Sequence, residues 1–274
     1  MLAAKPSVPT TAPALMLALV AAFGIAFAAP ARADDPWPDI HRNVFDNRAI
    51  GEEDGSVTLE APYRAEDAAV VPLTVHIPAS AGAVKTLTLV IDKNPVPVVG
   101  TFHFGPAAGA GDRMLSTRVR IDMYSNVRAV IETADGKLHM ATKFVKASGG
   151  CSAAAGKDMD EALANIGKMQ IRTFDEASGA SAATREAQVM IRHPNFTGMQ
   201  MDQVTRQYTP AMFVQELQVK RGGELVFSLE GGISISENPN FRFTFVPGAD
   251  PTLEVTAKDT EGRVFSATSA GKAS

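Results

Sequence analysis

Val127-Arg128-Ala129-Val130-Ile131-Glu132-Thr133-Ala134-Asp135-Gly136-Lys137-Leu138-His139-Met140-Ala141-Thr142-Lys143-Phe144 reads as two short strands, Val127 to Glu132 and Leu138 to Phe144, around an Asp-Gly pair. Asp135-Gly136 accepts the positive φ of a tight hairpin turn, so the stretch predicts an antiparallel hairpin. Upstream the same period of two recurs. Thr117, Val119 and Ile121 alternate with Arg118 and Arg120, and Leu73, Val75 and Ile77 alternate with Thr74 and His76. Val57 to Glu60, Val70 to Ile77, Lys85 to Asp92, Val99 to Phe104 and Leu115 to Ile121 complete this half. A short helix through His41 to Asn47 precedes them, turning Ile40, Val44 and Phe45 toward a core. Many short strands and almost no helix predict an antiparallel sandwich of immunoglobulin-like size.

Downstream of the hairpin lies Ala147-Ser148-Gly149-Gly150-Cys151-Ser152-Ala153-Ala154-Ala155-Gly156-Lys157, which holds the chain's single cysteine. The run of small residues predicts a mobile backbone and an exposed thiol. With no second cysteine, the sulfur is free, modified or joined to another molecule. Lys146 and Lys157 favour the thiolate while Asp158, Asp160 and Glu161 oppose it, so a fairly ordinary thiol is expected. No histidine is near in sequence, and no catalytic residue is assigned.

Met159, Ala162, Leu163 and Ile166 fall at helical spacing ahead of Gly167, predicting a short amphipathic helix. Strands then resume: Met169 to Phe174, Glu186 to His193, Phe213 to Arg221, Glu224 to Leu229, Gly232 to Ser236, Phe241 to Phe245, Leu253 to Asp259 and Arg263 to Ala267. Gly222-Gly223 and Glu261-Gly262 mark turns between them. The whole is expected to be all-β: two immunoglobulin-like antiparallel sandwiches, residues 34–146 and 168–274, joined over residues 147–167 by a flexible Gly/Ala-rich cysteine loop and a short helix.

Residues 1–33 read as a secretory signal peptide: Lys5 is the basic start, Ala14 to Ala29 is apolar, and Ala31-Arg32-Ala33 is a small-x-small cleavage site. Export to the periplasm is expected, with no membrane attachment after cleavage. The formal net charge of −4 and the lack of a basic cluster with interleaved aromatics argue against a nucleic-acid partner. His41, His76, His103, His139 and His193 show no metal-ligand spacing, so no metal and no resident cofactor are expected. His193-Pro194 and Glu237-Asn238-Pro239 read as loop-forming pieces, and Asn195-Phe196-Thr197 fits a glycosylation sequon.

The first half resembles SoxY, through Ala65-Glu66-Asp67-Ala68-Ala69-Val70-Val71-Pro72-Leu73, Ile91-Asp92-Lys93-Asn94-Pro95, Thr117-Arg118-Val119-Arg120 and Gly149-Gly150-Cys151. The second resembles SoxZ, through His193-Pro194-Asn195-Phe196-Thr197-Gly198, Gly231 to Pro239 and Phe241-Arg242-Phe243. Their order is similar to that of fused SoxYZ-like carriers associated with quinoprotein dehydrogenases. The resemblance implies that Cys151 carries a covalent sulfur adduct on an arm formed by Gly149, Gly150 and Ser152. Implied partners are periplasmic oxidoreductases, a quinoprotein dehydrogenase or Sox-type enzymes. In SoxY the cysteine lies in a free Gly-Gly-Cys-Gly-Gly terminus, whereas Ser152 and Ala153 follow it here and the chain continues. The competing expectation is a structural or adaptor module docked on a periplasmic dehydrogenase, with Cys151 incidental or forming a disulfide-linked dimer.

Overall fold

Alternating apolar positions generate the strands. In β3 (Val71–Ile77) and β6 (Arg113–Val119) every second side chain is buried, and the two strands pair antiparallel from Val71↔Val119 to Ile77↔Arg113. The hairpin about Asp135-Gly136 forms as expected: β7 (Ser125–Thr133) pairs with β8 (Leu138–Val145), and Gly136 sits at φ 83°. This computed structural model describes residues 1–4, 35–154, 159–174, 184–202 and 205–269. Nearly all of the expected signal peptide, from Lys5 to Ala33, lies outside the described residues. Among those described, no helix is long and apolar enough to cross a membrane.

The remaining strands of the first half are β1 (Ile50–Glu52), β2 (Thr58–Glu60), β4 (Val84–Ile91) and β5 (Val98–Phe104). Those of the second are β9 (Met169–Phe174), β10 (Arg185–Ile191), β11 (Val214–Arg221), β12 (Glu224–Gly231), β13 (Asn240–Phe245), β14 (Leu253–Asp259) and β15 (Val264–Thr268). Helices α1 (Trp37–Phe45) and α2 (Met159–Ala164) are the only α-helices among the described residues. The protein is all-β, and each half supplies a sandwich.

The sandwiches are joined edge to edge. One nine-stranded sheet runs β1-β8-β7-β4-β5-β12-β11-β14-β15, and one six-stranded sheet runs β2-β3-β6-β13-β10-β9. Across the seam β5 pairs with β12, and β6 with β13, both antiparallel. Gly100 is required there, because a Cβ would stand 2.8 Å from the Glu230 carbonyl oxygen. The core crosses the seam too: Phe102 packs on Phe227 and Phe241, and Phe227 on Phe243, at centroid separations of 5.1–6.1 Å. Burying such a ring stabilises by roughly 1.5–3 kcal/mol, so the halves support one another. Pro36–Ser274 accordingly form one compact unit.

Two local expectations are corrected, and the sequon is accounted for: Val44 in α1, expected to face the core with Ile40 and Phe45, is exposed. Gly232 to Ser236 is not a strand but a turn folded against the first half, in which Gly232 N–H bonds the Val99 carbonyl and Ile235 N–H bonds that of Gly232. The Asn195 sequon is spent internally: this residue is 0% exposed, its amide donates to the Ile235 carbonyl, and its side-chain oxygen accepts Val214 N–H.

Candidate functional site

After β8 the chain passes Lys146, whose N–H bonds the Tyr63 carbonyl, and enters the cysteine segment. That segment is docked. Gly149 N–H donates to the Asp122 carbonyl (2.8 Å), Gly150 N–H to the Ile121 carbonyl (3.0 Å) and Cys151 N–H to Asp122 Oδ1 (3.3 Å). Thr197 Oγ1 from the second half donates to the Cys151 carbonyl (2.7 Å), and Arg120 Nη1 to the Gly150 carbonyl (3.3 Å). Ser152, exposed, closes the turn through Oγ to the Gly149 carbonyl.

The expected exposed thiol on a mobile arm is therefore corrected: Cys151 is 0% exposed. Small residues remove side-chain packing, but they also let backbone approach backbone, and here the second effect governs. Gly150 is needed for close approach, since a Cβ would lie 2.1 Å from the Ala68 carbonyl oxygen and 2.7 Å from that of Ile121. Gly149 is needed for its φ of 76°, which an L side chain adopts only at a cost. Both glycines shape a docked turn rather than serving as loose joints.

The charge environment also departs from the local reading. Lys146 lies with its ammonium 4.7 Å from the centre of the Tyr63 ring, while Lys157 and Asp158 are outside the described residues. Burial, then the Asp122 carboxylate, push the Cys151 thiol up to about 11, and Arg120 acts against them. The docked thiol is therefore almost wholly protonated at neutral pH. The thiol is not ordinary but stowed and inert.

Residues far apart in sequence build this seat. Asn94 Nδ2 donates to the Arg120 carbonyl and to Ser234 Oγ, and Asn94 Oδ1 accepts Asp122 N–H. Arg120 N–H bonds the Ser234 carbonyl, and Ser236 Oγ the Ala69 carbonyl. Neighbouring Asp92 is held by a buried bidentate pair with Arg128, on which Trp37 stacks at 3.9 Å. On the second-half side, Asn238 Oδ1 accepts His193 N–H, and Asn238 N–H bonds the His193 carbonyl. His193 is buried, accepts Asn195 N–H at Nδ1 and faces Asp259 through Nε2. The two Pro-containing loops are thus structural, as read, and they also fix Thr197 over the cysteine.

Thr197, Asp122 and Arg120 were not singled out by sequence reasoning as site residues. Strand alternation places Arg120 only on the face opposite Thr117, Val119 and Ile121. Arg120 is 1% exposed, because β6 ends at Val119 and the turn at 232–236 covers the residues beyond.

Residues 41–151 match the family model of the sulfur oxidation protein SoxY, and residues 171–270 that of the sulphur oxidation protein SoxZ. The chain is a fused SoxYZ-like protein. Such domains belong to carriers rather than catalysts, and the chain has a sulfur-oxidation carrier role alongside Sox-type enzymes. Among solved structures, the sulfur carrier protein SoxY from Chlorobium limicola f thiosulfatophilum is similar at 25% identity over 41% of this chain and 91% of that one, TM-score 0.34. A glycosyl hydrolase family 2 member from Bacteroides cellulosilyticus matches at 12% identity over 74% of this chain and 24% of its own, TM-score 0.21. No curated protein matches the chain. The SoxY match ends on Cys151 itself, and both halves of the SoxYZ-like chain clamp that residue.

Proposed function

We propose that Cys151 of this SoxYZ-like protein holds a sulfur-containing intermediate covalently and presents it to partner oxidoreductases in the periplasm, in a quinoprotein-dehydrogenase-linked pathway. The observation that carries this reading is the position of the chain's single cysteine: it closes the SoxY-matched stretch and is seated by Thr197 of the SoxZ-matched one. The fusion order supports the dehydrogenase setting, and the leader-like residues 1–33 support the compartment.

The docked geometry divides the cycle into two states. Seated, the thiol is protonated and shielded from adventitious oxidants. Lifting the segment breaks the hydrogen bonds from Thr197, Arg120 and the three arm N–H groups, and returns the thiol toward its ordinary acidity. Loading then occurs on the lifted arm, and reseating protects what has been loaded. No resident cofactor is needed, because the cysteine sulfur is itself the attachment point.

One observation favours a second reading. Complete burial of Cys151 is also what a structural cysteine shows, and in that case the protein is an adaptor on a periplasmic dehydrogenase. Cells carrying Cys151→Ser, at equal protein level, decide between them. Loss of dehydrogenase-linked growth supports the carrier, and full growth supports the adaptor.

A further inference from the structure

Buried guanidinium groups ordinarily have all their donors matched, since each unmet N–H forfeits its hydration without return. Arg120 does not. It is 1% exposed, Nη1 donates to the Gly150 carbonyl, and Nε and Nη2 are buried with no hydrogen-bond partner. These two form one edge of the guanidinium plane, the side-on fork that fits a pair of oxygens on a single anionic group. Glu237, Cys151 and Asp67 interact with Arg120 through space, but none of them bonds Nε or Nη2. The Asp67 carboxylate instead accepts Ala69 N–H, and that of Asp122 accepts Cys151 N–H. Gly149, two residues before the cysteine, is open on its Cβ side, where a side chain would meet only Ser152 Oγ, at 3.9 Å.

We infer that Arg120 is the receptor for a terminal oxyanion carried on Cys151, its Nε–H and Nη2–H fork engaging two oxygens of a sulfonate-type group when the arm is seated. The inference rests on Cys151 being the loaded residue, and what it adds is the side chain that receives the charged end of the adduct. Arg120 is a positioning residue, which selects and shelters the adduct without reacting.

Chemical loading of the full protein tests this. In mild denaturant, later removed, the Cys151 thiolate attacks an inner sulfur of tetrathionate, forming Cys–S–S–SO3− while thiosulfate leaves with the electron pair. Methyl methanethiosulfonate gives the neutral Cys–S–S–CH3 and releases methanesulfinate. Mass confirms each adduct, and thermal unfolding compares them. The anionic adduct of the wild type is expected to melt roughly 3–8 °C above the methyl adduct, with the gap abolished in Arg120→Gln and partly kept in Arg120→Lys. Equal midpoints in the wild type, or an undiminished gap in Arg120→Gln, overturn the receptor. Should Arg120→Gln not fold, the wild-type gap and its reduction in Arg120→Lys decide the matter. Because these adducts are attached chemically, the result is separate from whether cells load Cys151, which is read on protein taken from cells.

Discussion

Thr197 Oγ1 donates a 2.7 Å hydrogen bond to the carbonyl of Cys151, tying the SoxZ-like half to the last residue of the SoxY-matched stretch. The same hydroxyl accepts Met199 N–H, and Gln200 Oε1 accepts Thr197 N–H. Thr197→Val keeps the shape and removes the donor. It is expected to lower global stability by about 1–2 kcal/mol and to speed reaction of Cys151 with a thiol reagent, read by denaturant melts and by the rate of 5,5′-dithiobis(2-nitrobenzoate) labelling. An unchanged labelling rate would show that this bond does not hold the arm.

The two glycines give opposite diagnostics. Gly150→Ala places a Cβ against the Ala68 and Ile121 carbonyls, neither of which has a flexible side-chain end to yield. The segment should lift, and native labelling of Cys151 should rise on the order of tenfold or more, since each 1.4 kcal/mol of lost docking is a factor of ten. Gly149→Ala makes only an ordinary contact with Ser152 Oγ, at 3.9 Å, and costs the left-handed backbone, about 1–2 kcal/mol, so its labelling rate should rise less. Equal rates in both variants would contradict the close-approach account.

Reading strands from the sequence succeeds where one face is buried, because alternation records that directly, as in β3 and β6, while the β7–β8 hairpin is legible from its Asp-Gly turn. Arg120 shows where that reading stops. The alternation of residues 117–121 is real, but nothing local says that residues 232–236 of the other half will cover the polar side. Cys151 shows a second limit. A run of glycine, serine and alanine is compatible both with a loose arm and with a tightly seated backbone, and the choice depends on the Ala68 and Ile121 carbonyls, remote in sequence. Thr197 was hidden in a sequon, whose polar atoms instead build the seat.

Thiol chemistry should report the seated state. Burial and Asp122 raise the Cys151 thiol to about 11, so the alkylation rate of the wild type should climb about tenfold per pH unit from 7 to 9 without levelling. Asp122→Asn removes the opposing charge and keeps an oxygen for Cys151 N–H. Its alkylation should be faster at every pH in that range, and a slower rate would place the carboxylate's influence elsewhere.

Acid should loosen the SoxZ-like half. His193 is neutral in the folded chain, with burial depressing it below the ordinary 6.5, because Nδ1 accepts Asn195 N–H and leaves the proton on Nε2 toward Asp259. The unfolded chain therefore binds more protons just below pH 6.5, and stability falls as pH drops through that point toward the depressed value. Asp259 follows further down. Burial opposes its charge, but hydrogen bonds from Arg263 and His193 outweigh that and hold it below 3.8, so its contribution is lost at still lower pH. Denaturation midpoints should be flat from pH 8 to 7 and decline from 6.5 to 5. In His193→Gln the decline between 6.5 and 5 should be shallower, and an unaltered slope would assign it to other groups.

Intact mass of the protein, isolated from its native cells without reductant, tests the carrier role most directly. The account predicts a subpopulation heavier by a sulfur-containing group, removed by dithiothreitol and absent in Cys151→Ser. A single unmodified mass under every growth condition that uses the pathway would contradict it.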